Sequence, residues 1–496
     1  MFSTRRLDIG AEPRAHDPRV LLLAPSAGLG GGVERYLATV EERLRAGGAL
    51  VHRVDLRGAA RPLDPWARQR FTAAAVRAAA LLAPLDAVLT GHPGLIPVAA
   101  AAATAGRARR GPVIVYGVDG VDGIRAHRLG RTLLNRHRAL FPLTTGSYSA
   151  GALAGLGAVP LLRPGVASGW RSALLAAGTR AGREGGASRP PTRPTLLTVL
   201  PSATGADPAG RADPASRADT AGGAVRAGGA VRAGRADRAD GGLATLLAAL
   251  PTVRRAVGPV RLIAVARGHA PAAARAAVAA AGDVELVEAP DDSRLAGLYA
   301  GADLFVLCTE TGPSRGGEDH ARVLTEAQLA GCPVVGPVRG DARDAYIDGA
   351  TGVTPGDESP VALAVALTDL LADRVRLARM RRRAAEWARM ATEPAEHTRA
   401  VFAAVLGTLP AVPAPVPTSI PVPATATALP GGAARPPARR AATQVWPEPA
   451  GAGSGRAFWS AVPAARVARG VEVDTDHVEM SRGWSDDIEV DDLRTR

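Results

Sequence analysis

Short, continuously apolar runs alternate with helical patterns from residue 18 to residue 406, and this alternation constrains the fold more than any other feature. Examples are RVLLLA at Arg19–Ala24, PVIVYG at Pro112–Gly117 and TLLTVL at Thr195–Leu200. A strand that is apolar at every position is typical of a parallel sheet covered by helices on both faces. The alternation occurs in two halves. We therefore predict an α/β protein with two Rossmann-like parallel-sheet domains that face each other across a cleft.

Composition marks the segments between and beyond these halves. Residues 201–240 repeat Arg, Ala, Asp and Gly with almost no large apolar side chain, so this insert in the second domain is predicted to be disordered, as is the C-terminal tail. We expect a polar leader at 1–17, a first domain at 18–175, an interdomain linker at 176–194, a second domain at 195–378, helices that return to the first domain at 379–407, a Pro/Ala-rich linker at 408–455 and an acidic tail at 456–496.

Two carboxylates lie eight residues apart in the stretch GEDHARVLTEAQLAGCP at residues 317–333. The pattern predicts a loop, a short helix and a helix end at Gly331. On such a helix, Glu318 and Glu326 would be about 12 Å apart along the axis. A sugar joined through a diphosphate to a ribose has a comparable length, and the helix N-terminus would attract its phosphates. The alternative is a pair of solvated glutamates on an ordinary surface helix.

A second candidate site is the glycine-rich loop between the first strand and a helix that begins near Val33. Glycine lets a ligand approach the backbone, so Gly31 and Gly32 are predicted to line a phosphate or sugar site. The loop also has a rival interpretation as the fingerprint of a nicotinamide-dependent dehydrogenase. Val33 stands at the third glycine position of that fingerprint, which makes the dehydrogenase signal weak.

His92 lies at the carboxyl end of a predicted strand, where the ligand sites of α/β proteins gather. A substrate contact and a hydrogen-bonded loop histidine both fit this position. Glu318, Asp319 and His320 could serve as metal ligands, but no second cluster of ligand residues accompanies them. We therefore expect no metal site.

The stretch at 317–335 resembles the Glu-x7-Glu signature of the retaining glycosyltransferases of family 4, which have the GT-B fold. Its matching residues are Glu318, Glu326-Ala327, Ala330-Gly331 and Pro333-Val334-Val335. Asp319, His320 and Ala321 replace the Gly-Phe-Gly of the family pattern. The downstream run GPVRGDARDAYIDGATGV resembles a second family segment through Asp348-Gly349 and Gly352.

This resemblance implies transfer of a hexosyl unit from a nucleotide-diphosphate sugar to a glycan or lipid acceptor, with retention of configuration and without a metal or other cofactor. It implies that Glu318 binds the sugar hydroxyls and Glu326 the ribose. Asp119 lies near the position of a donor-sugar histidine in the family. The implied catalytic residues are Glu318, Asp119 and His92, and the implied nucleotide-sugar-binding residues are Gly31, Gly32, Glu318, Asp319, Val323, Leu324, Glu326 and Arg238. The loop before Glu318 is loosely similar to that of bacterial phosphatidylinositol mannosyltransferases, which suggests a mannosyl donor.

The chain departs from the family after Thr195–Leu200, where family members carry an arginine and a lysine that bind the donor diphosphate. The low-complexity insert follows instead, and the sequence contains no lysine. Losing one such donor typically costs about 3–4 kcal/mol in the barrier. An arginine would have to replace these cations, and the candidates are Arg232, Arg235, Arg238 and Arg267. The alternative is a weak or inactive GT-B protein that acts as a binding or scaffold protein.

The formal net charge is +13, and all 60 basic residues are arginines. This charge fits an anionic substrate or a membrane surface, while the lack of interleaved aromatic and basic residues argues against a nucleic-acid partner. Cys308 and Cys332 lie in apolar contexts that do not suggest a disulfide. The N-terminus lacks the apolar core of a signal peptide, and no apolar run reaches the ~20 residues of a membrane span. We expect a cytoplasmic protein, soluble or attached peripherally at the inner face of the membrane.

Overall fold

The computed structural model describes residues 17–27, 31–57, 66–157, 159–185, 193–200, 242–307 and 320–410, without the side chains of residues 118, 119, 126, 183–185 and 320. Three residues of the predicted site, Glu318, Asp319 and Arg238, lie outside the described residues. The insert at 201–240, the tail at 456–496 and nearly all of the leader and of the Pro/Ala-rich linker lie outside them as well.

The first domain is built on a five-stranded parallel sheet. Its strands are β1 Arg19–Ala24, β2 Leu50–Asp55, β3 Ala87–Thr90, β4 Gly111–Val115 and β5 Leu140–Thr144. They lie in the order β2-β1-β3-β4-β5. The residues of β1 after Arg19, and all those of β3 and β4, are buried. This burial confirms that the continuous apolar runs mark strands with helices on both faces.

Six helices belong to this sheet: α1 Gly32–Ala46, α2 Ala67–Leu82, α3 Ile96–Ala105, α4 Gly117–Ala126, α5 Arg128–Arg136 and α6 Ser147–Ala152. One face of the sheet packs against α1, through residues such as Leu37 and Val40. The other face packs against α2 and α3, through Phe71 and Ile96. These buried apolar side chains recur at helical spacing, which is the reason that the segments fold as amphipathic helices.

A long helix, α7 at Ser168–Gly185, precedes the second sheet. This helix spans the end of the predicted first domain, at 175, and the first part of the predicted linker at 176–194. The physical reason is a buried apolar stripe, since Leu174 and Ala177 lie in the core of the second domain and Trp170 packs against it. Gly and Arg around residue 180 suggested a flexible linker, but three positions of helical spacing outweigh that composition.

The second domain is built on a six-stranded parallel sheet. Its strands are β6 Thr195–Leu200, β7 Arg261–Ala266, β8 Val284–Glu288, β9 Leu304–Val306, β10 Val334–Val335 and β11 Gly352–Val353. They lie in the order β11-β10-β9-β6-β7-β8, with parallel pairing throughout. The prediction of two parallel-sheet domains is therefore confirmed.

Seven further helices complete the described chain: α8 Leu243–Val257, α9 Ala272–Ala281, α10 Asp292–Gly301, α11 His320–Leu329, α12 Pro360–Ala372, α13 Arg374–Ala391 and α14 Pro394–Leu406. Two apolar cores cover the two faces of the second sheet. One contains residues of α7, α10 and α11, and the other contains residues of α8 and α12.

The last helix returns to the first domain, as the sequence predicts. Val401, Phe402 and Val405 on α14 share a core with Leu22 of β1 and Val40 of α1. The helix before it, α13, instead packs on α11 and α12 of the second domain. The change of domain occurs between α13 and α14, which tie the two domains together.

Both sheets reverse their strand order at an internal position, between β1 and β3 in the first and between β6 and β9 in the second. Ligands of open parallel sheets bind at the carboxyl ends of the strands beside such a reversal. The loops after β1, β6 and β9 are therefore the places where a ligand site is expected. The predicted glycine-rich loop follows β1, and the Glu318 stretch follows β9 in the sequence.

Candidate functional site

Glu326 lies two turns into α11, and its side chain is completely buried. One carboxylate oxygen, Oε2, accepts a hydrogen bond from the Tyr299 hydroxyl at 3.2 Å and pairs with the guanidinium of Arg267. The other oxygen, Oε1, lies 3.5 Å from Nε of Arg322, one turn earlier on the same helix. The carboxylate is thus held between two guanidiniums and a phenol, as a buried charge must be.

Three separate elements bring this cluster together. Arg267 follows the last residue of β7, Tyr299 lies on α10, and Arg322 and Glu326 lie on α11. Burial raises the pKa of Tyr299 well above its usual range, so its hydroxyl stays protonated and donates. The Arg267 guanidinium also lies over the ring of Trp170 on α7, 5.6 Å from its centroid.

Oε1 of Glu326 is a buried carboxylate oxygen that accepts no hydrogen bond from the described residues. A carboxylate oxygen in this setting ordinarily accepts one or two hydrogen bonds, because an unfilled acceptor costs about 1–3 kcal/mol. The cluster therefore retains the capacity to accept a hydrogen bond from a group that the described residues do not supply.

Val323 and Leu324, two further residues of α11 with a predicted role in nucleotide-sugar binding, lie outside the Glu326 cluster. Val323 and Leu324 are buried in the core beneath the second sheet, so their side chains face the protein interior. A ligand contact from these two residues would have to come from their backbone atoms. Their role in nucleotide-sugar binding stays a prediction.

Gly31 and Gly32 lie at the start of α1, beyond the carboxyl end of β1. Gly31 is the N-cap residue of the helix, and no side chain caps it. A Cβ atom placed on Gly31 would meet nothing within 4 Å, so space is open beside this backbone. The position suits a ligand that approaches the helix N-terminus.

His92 caps the short 3-10 turn at Pro93–Leu95. Its ring atom Nδ1 accepts a hydrogen bond from the backbone N–H of Gly94 at 3.0 Å. This contact corresponds to the alternative of a hydrogen-bonded loop histidine. The backbone of Asp119 lies in the first turn of α4, and its side chain is not described. The catalytic roles of His92 and Asp119 stay predictions.

Two aspartates and two serines join the domains at the carboxyl ends of β5 and β10. Asp341 accepts hydrogen bonds from the backbone N–H and the hydroxyl of Ser149, at 2.9 and 2.6 Å. Asp344 accepts the same pair of bonds from Ser147, at 2.7 and 2.6 Å. We call these four residues the Ser–Asp clasp. The carboxyl edges of the two sheets face each other at this point.

The Ser–Asp clasp was not recognised from the sequence. The available signal was weak: Gly146 followed by Ser147 and Ser149 at a helix start, and two aspartates in the run GDARDA. Gly146 is required sterically, since a Cβ atom there would lie 2.3 Å from Cβ of Asp341. Burial raises the pKa of Asp341 above its usual range, although the hydrogen bonds from Ser149 act in the opposite direction.

A small pocket opens at the carboxyl ends of β9 and β10, beside the reversal of strand order. Its lining residues include Leu307, Gly336, Pro337, Thr245 and Ser359. Leu307 follows β9 and Thr245 lies in the first turn of α8, so the pocket occupies the crevice that parallel sheets offer to ligands.

Within the described ranges, no group of three or more His, Cys, Asp or Glu side chains is arranged to hold a metal ion. None of the helices in the described part of the chain is long and apolar enough to cross a membrane.

The comparisons with known proteins point to one class of fold. Residues 229–373 match the family described as Glycosyl transferases group 1. None of the curated protein sequences matches the chain.

Solved structures are similar over most of the described chain. HepE from Anabaena, solved in complex with UDP-glucose, has a TM-score of 0.53 at 17% identity, and the match covers 77% of this chain and 98% of that one. A glycosyltransferase from Rickettsia africae has a TM-score of 0.55 at 12% identity, covering 77% and 97%. Sucrose-phosphate synthase from Thermosynechococcus elongatus has a TM-score of 0.52 at 14% identity, covering 77% and 96%.

At these identities, the structural similarity establishes the fold. The chain has the GT-B fold, and the part of its second domain that carries Arg267 and Glu326 matches the family Glycosyl transferases group 1.

Proposed function

We propose that this protein is a glycosyltransferase that moves a hexosyl unit from a nucleotide-diphosphate sugar to a glycan or lipid acceptor. The observation that supports the proposal is the oxygen Oε1 of Glu326, which is buried on α11 and accepts no hydrogen bond from a described residue. A ribose offers two neighbouring hydroxyl donors to such an acceptor. Oε2 is held by Arg267 and Tyr299, so only Oε1 is left for the nucleotide.

The proposal assigns the other parts of the donor to the remaining predicted residues. Glu326 accepts from the ribose, and Glu318, eight residues earlier, accepts from the hydroxyls of the sugar. The open backbone at Gly31 lets the phosphates approach the positive end of α1. These roles account for the ends and the middle of an extended nucleotide sugar.

The reaction releases a nucleoside diphosphate, whose developing negative charge needs a positioned cation. Arg267, which follows β7, is our candidate for this cation because it pairs with Glu326, the residue to which we assign the ribose. Its guanidinium is fixed by Glu326 on one side and by the Trp170 ring on the other. A cation fixed before the reaction stabilises the leaving group without reorganising during it.

Three finer points belong to the same proposal. Retention of configuration and a reaction without a metal are implied by the Glu-x7-Glu resemblance, and a mannosyl donor by the loop before Glu318. HepE was solved with UDP-glucose, so UDP-glucose is the first donor to test beside GDP-mannose.

A binding experiment tests the ribose role directly. Isothermal titration of UDP, GDP and ADP into the purified full chain should identify the preferred nucleotide. Glu326→Gln keeps the size of the side chain and removes its charge, and we expect it to weaken binding roughly tenfold to a hundredfold, as hydrogen bonds to charged groups do. Glu386→Gln on the exposed face of α13 is the matched control.

The outcomes separate two kinds of failure. If the wild-type chain binds none of the nucleotides and transfers no sugar, the proposed function is wrong. If the wild-type chain binds and Glu326→Gln binds equally well, the ribose contact is wrong while the function stands. The inactive scaffold is not favoured, because the match to Glycosyl transferases group 1 runs through the donor side of the fold.

A further inference from the structure

The exposed face of α5 is basic and contains no acidic residue. Helix α5 buries Gly130 and Leu134 against the first domain. Its exposed residues are Arg128, Leu129, Arg131, Thr132, Asn135 and Arg136. Leu129 is 61% exposed, although it is a large apolar side chain.

The basic face extends beyond both ends of the helix. Arg125 on α4 is exposed and donates a hydrogen bond to the carbonyl of Ala152 at 2.8 Å. Arg131 donates to the carbonyl of Arg125 at 3.1 Å, which ties α5 to α4. Arg138, after the helix, is also exposed. We call Arg125, Arg128, Leu129, Arg131, Arg136 and Arg138 the α5 surface.

Neighbouring elements add little negative charge to the α5 surface. Helix α5 contacts α3, α4 and β5. Neither α3 nor β5 contains a charged residue, and the acidic residues of α4 are Asp119 and Asp122. From residue 123 to residue 183 the sequence contains no acidic residue. The five arginines of the α5 surface therefore outnumber the two carboxylates of α4, and the field of this face is positive.

Other surface arginines of the described chain pair with carboxylates, unlike those of the α5 surface. Exposed or half-exposed arginines such as Arg254 and Arg261 pair with Asp283 and Glu285. None of the ion pairs found among the described residues involves an arginine of the α5 surface. Five arginines on one surface thus have no acidic partner within the described chain.

We propose that the α5 surface binds an anionic lipid surface. Clusters of four or more basic residues attract negatively charged leaflets, with about 1 kcal/mol from each Arg. The exposed Leu129, which follows Arg128 on the helix, would enter the headgroup region, where an apolar side chain is favoured. A protein surface that binds single-stranded nucleic acid would instead present aromatic side chains on which bases stack, and the α5 surface contains none. This inference is independent of the proposed transfer reaction, because lipid binding needs no substrate.

Vesicle co-sedimentation of the full chain tests the proposal. We expect binding to vesicles of phosphatidylcholine with added phosphatidylglycerol, a loss of binding at high salt, and no binding to phosphatidylcholine alone. The triple variant Arg128→Gln, Arg131→Gln, Arg136→Gln should partition on the order of a hundredfold more weakly. The matched control Arg376→Gln, Arg379→Gln, Arg383→Gln changes the net charge equally on α13, which carries the exposed Glu386 and has Asp373 as its N-cap residue.

Binding should be unchanged in the control. Equal loss in both triple variants would show that net charge alone is responsible, and the assignment to α5 would be overturned. Leu129→Ser should weaken vesicle binding without affecting retention on heparin. A chain that binds heparin or RNA, ignores anionic vesicles and is insensitive to Leu129→Ser would also overturn the proposal. Circular dichroism melting of each variant separates loss of binding from loss of fold.

Discussion

Asp341 accepts two hydrogen bonds from Ser149, although the two residues are 192 positions apart in the chain. Ser149 lies in the first turn of α6 in the first domain, and Asp341 begins a turn after β10 of the second. Together with the Asp344–Ser147 pair, this contact holds the carboxyl edges of the two sheets against each other. Any opening of the cleft at this place must break these hydrogen bonds.

The Ser–Asp clasp should be measurable as an energetic coupling between the domains. In a double-mutant cycle of Asp341→Asn and Ser149→Ala, followed by urea denaturation, we expect a coupling of about 1–3 kcal/mol, because hydrogen bonds to a charged and mostly buried group are lost together. Ser172→Ala is a suitable control, since its hydroxyl bonds only within its own helix, to Ser168. A coupling below about 0.5 kcal/mol would mean that the two residues act independently.

Stability should fall in acid because of His397. This side chain is buried on α14, and its Nε2–H donates to the carbonyl of Arg163 at 3.1 Å. Burial lowers the pKa of His397 from 6.5 to about 4, with the nearby Arg43 acting in the same direction. Between these two values the unfolded chain binds a proton that the folded chain excludes, so the free energy of unfolding decreases as pH falls through the window.

The expected loss from pH 6.5 to about 4 is roughly 3 kcal/mol, since each pKa unit corresponds to about 1.4 kcal/mol. Urea denaturation at several pH values should show a smaller acid loss in His397→Gln than in the wild-type chain. His52→Gln, at an exposed position, should retain the wild-type dependence. Parallel pH profiles for wild type and His397→Gln would contradict the assignment.

The return of α14 to the first domain should be sensitive to one methyl group at Gly47, the C-cap residue of α1. A Cβ atom added at Gly47 would lie 2.2 Å from the ring of Phe402. Gly47→Ala should therefore destabilise the chain by about 1–3 kcal/mol through overpacking. Adding Phe402→Leu should recover part of this loss, because the smaller side chain makes room. Thermal denaturation measures both, and Gly169→Ala, which meets nothing within 4 Å, should leave the melting temperature nearly unchanged.

Catalysis should depend on Arg267 more than on the exposed arginines. Replacing this guanidinium removes the positive charge that, in our proposal, stabilises the leaving diphosphate. Arg267→Gln is therefore expected to lower kcat about a hundredfold or more, in line with the loss of one preorganised donor. Steady-state transfer from the preferred nucleotide sugar gives kcat and KM, with Arg376→Gln as the control. A fall in donor affinity with an unchanged kcat would assign Arg267 to ground-state binding instead.

Local patterns predicted the elements of this protein well. Continuous apolar runs marked the strands, and the run at 320–329 formed a helix that is followed by Gly331 with a positive φ of 82°, the left-handed conformation expected at a helix end. The predicted linker at 176–194 overlaps α7, because composition around residue 180 concealed the buried stripe of this helix. The predicted roles of the Glu318 loop and the predicted disorder of the insert concern residues outside the described part of the chain, so both stay predictions.

Spacing alone could identify Glu326 but could not show what surrounds it. The distance between Glu318 and Glu326 along a helix is a local property, and so is the pairing of Arg322 with Glu326 one turn apart. Arg267 pairs with Glu326 from 59 positions away, because β7 and α11 contribute to the same apolar core. No periodicity in the sequence encodes that pairing, and the same is true of Asp341 and Ser149.

The amino-acid sequence by itself determined the alternation of strands and helices, the two-domain α/β class and the position of α11, because each depends on the polarity of residues within a few turns. Tertiary structure alone decided that Glu326 is buried between two arginines, that the Ser–Asp clasp joins the sheets, and that the arginines of α5 share one acid-free face. The physical reason is that burial and long-range pairing arise from packing between distant segments, and a single sequence does not show which distant segments come into contact.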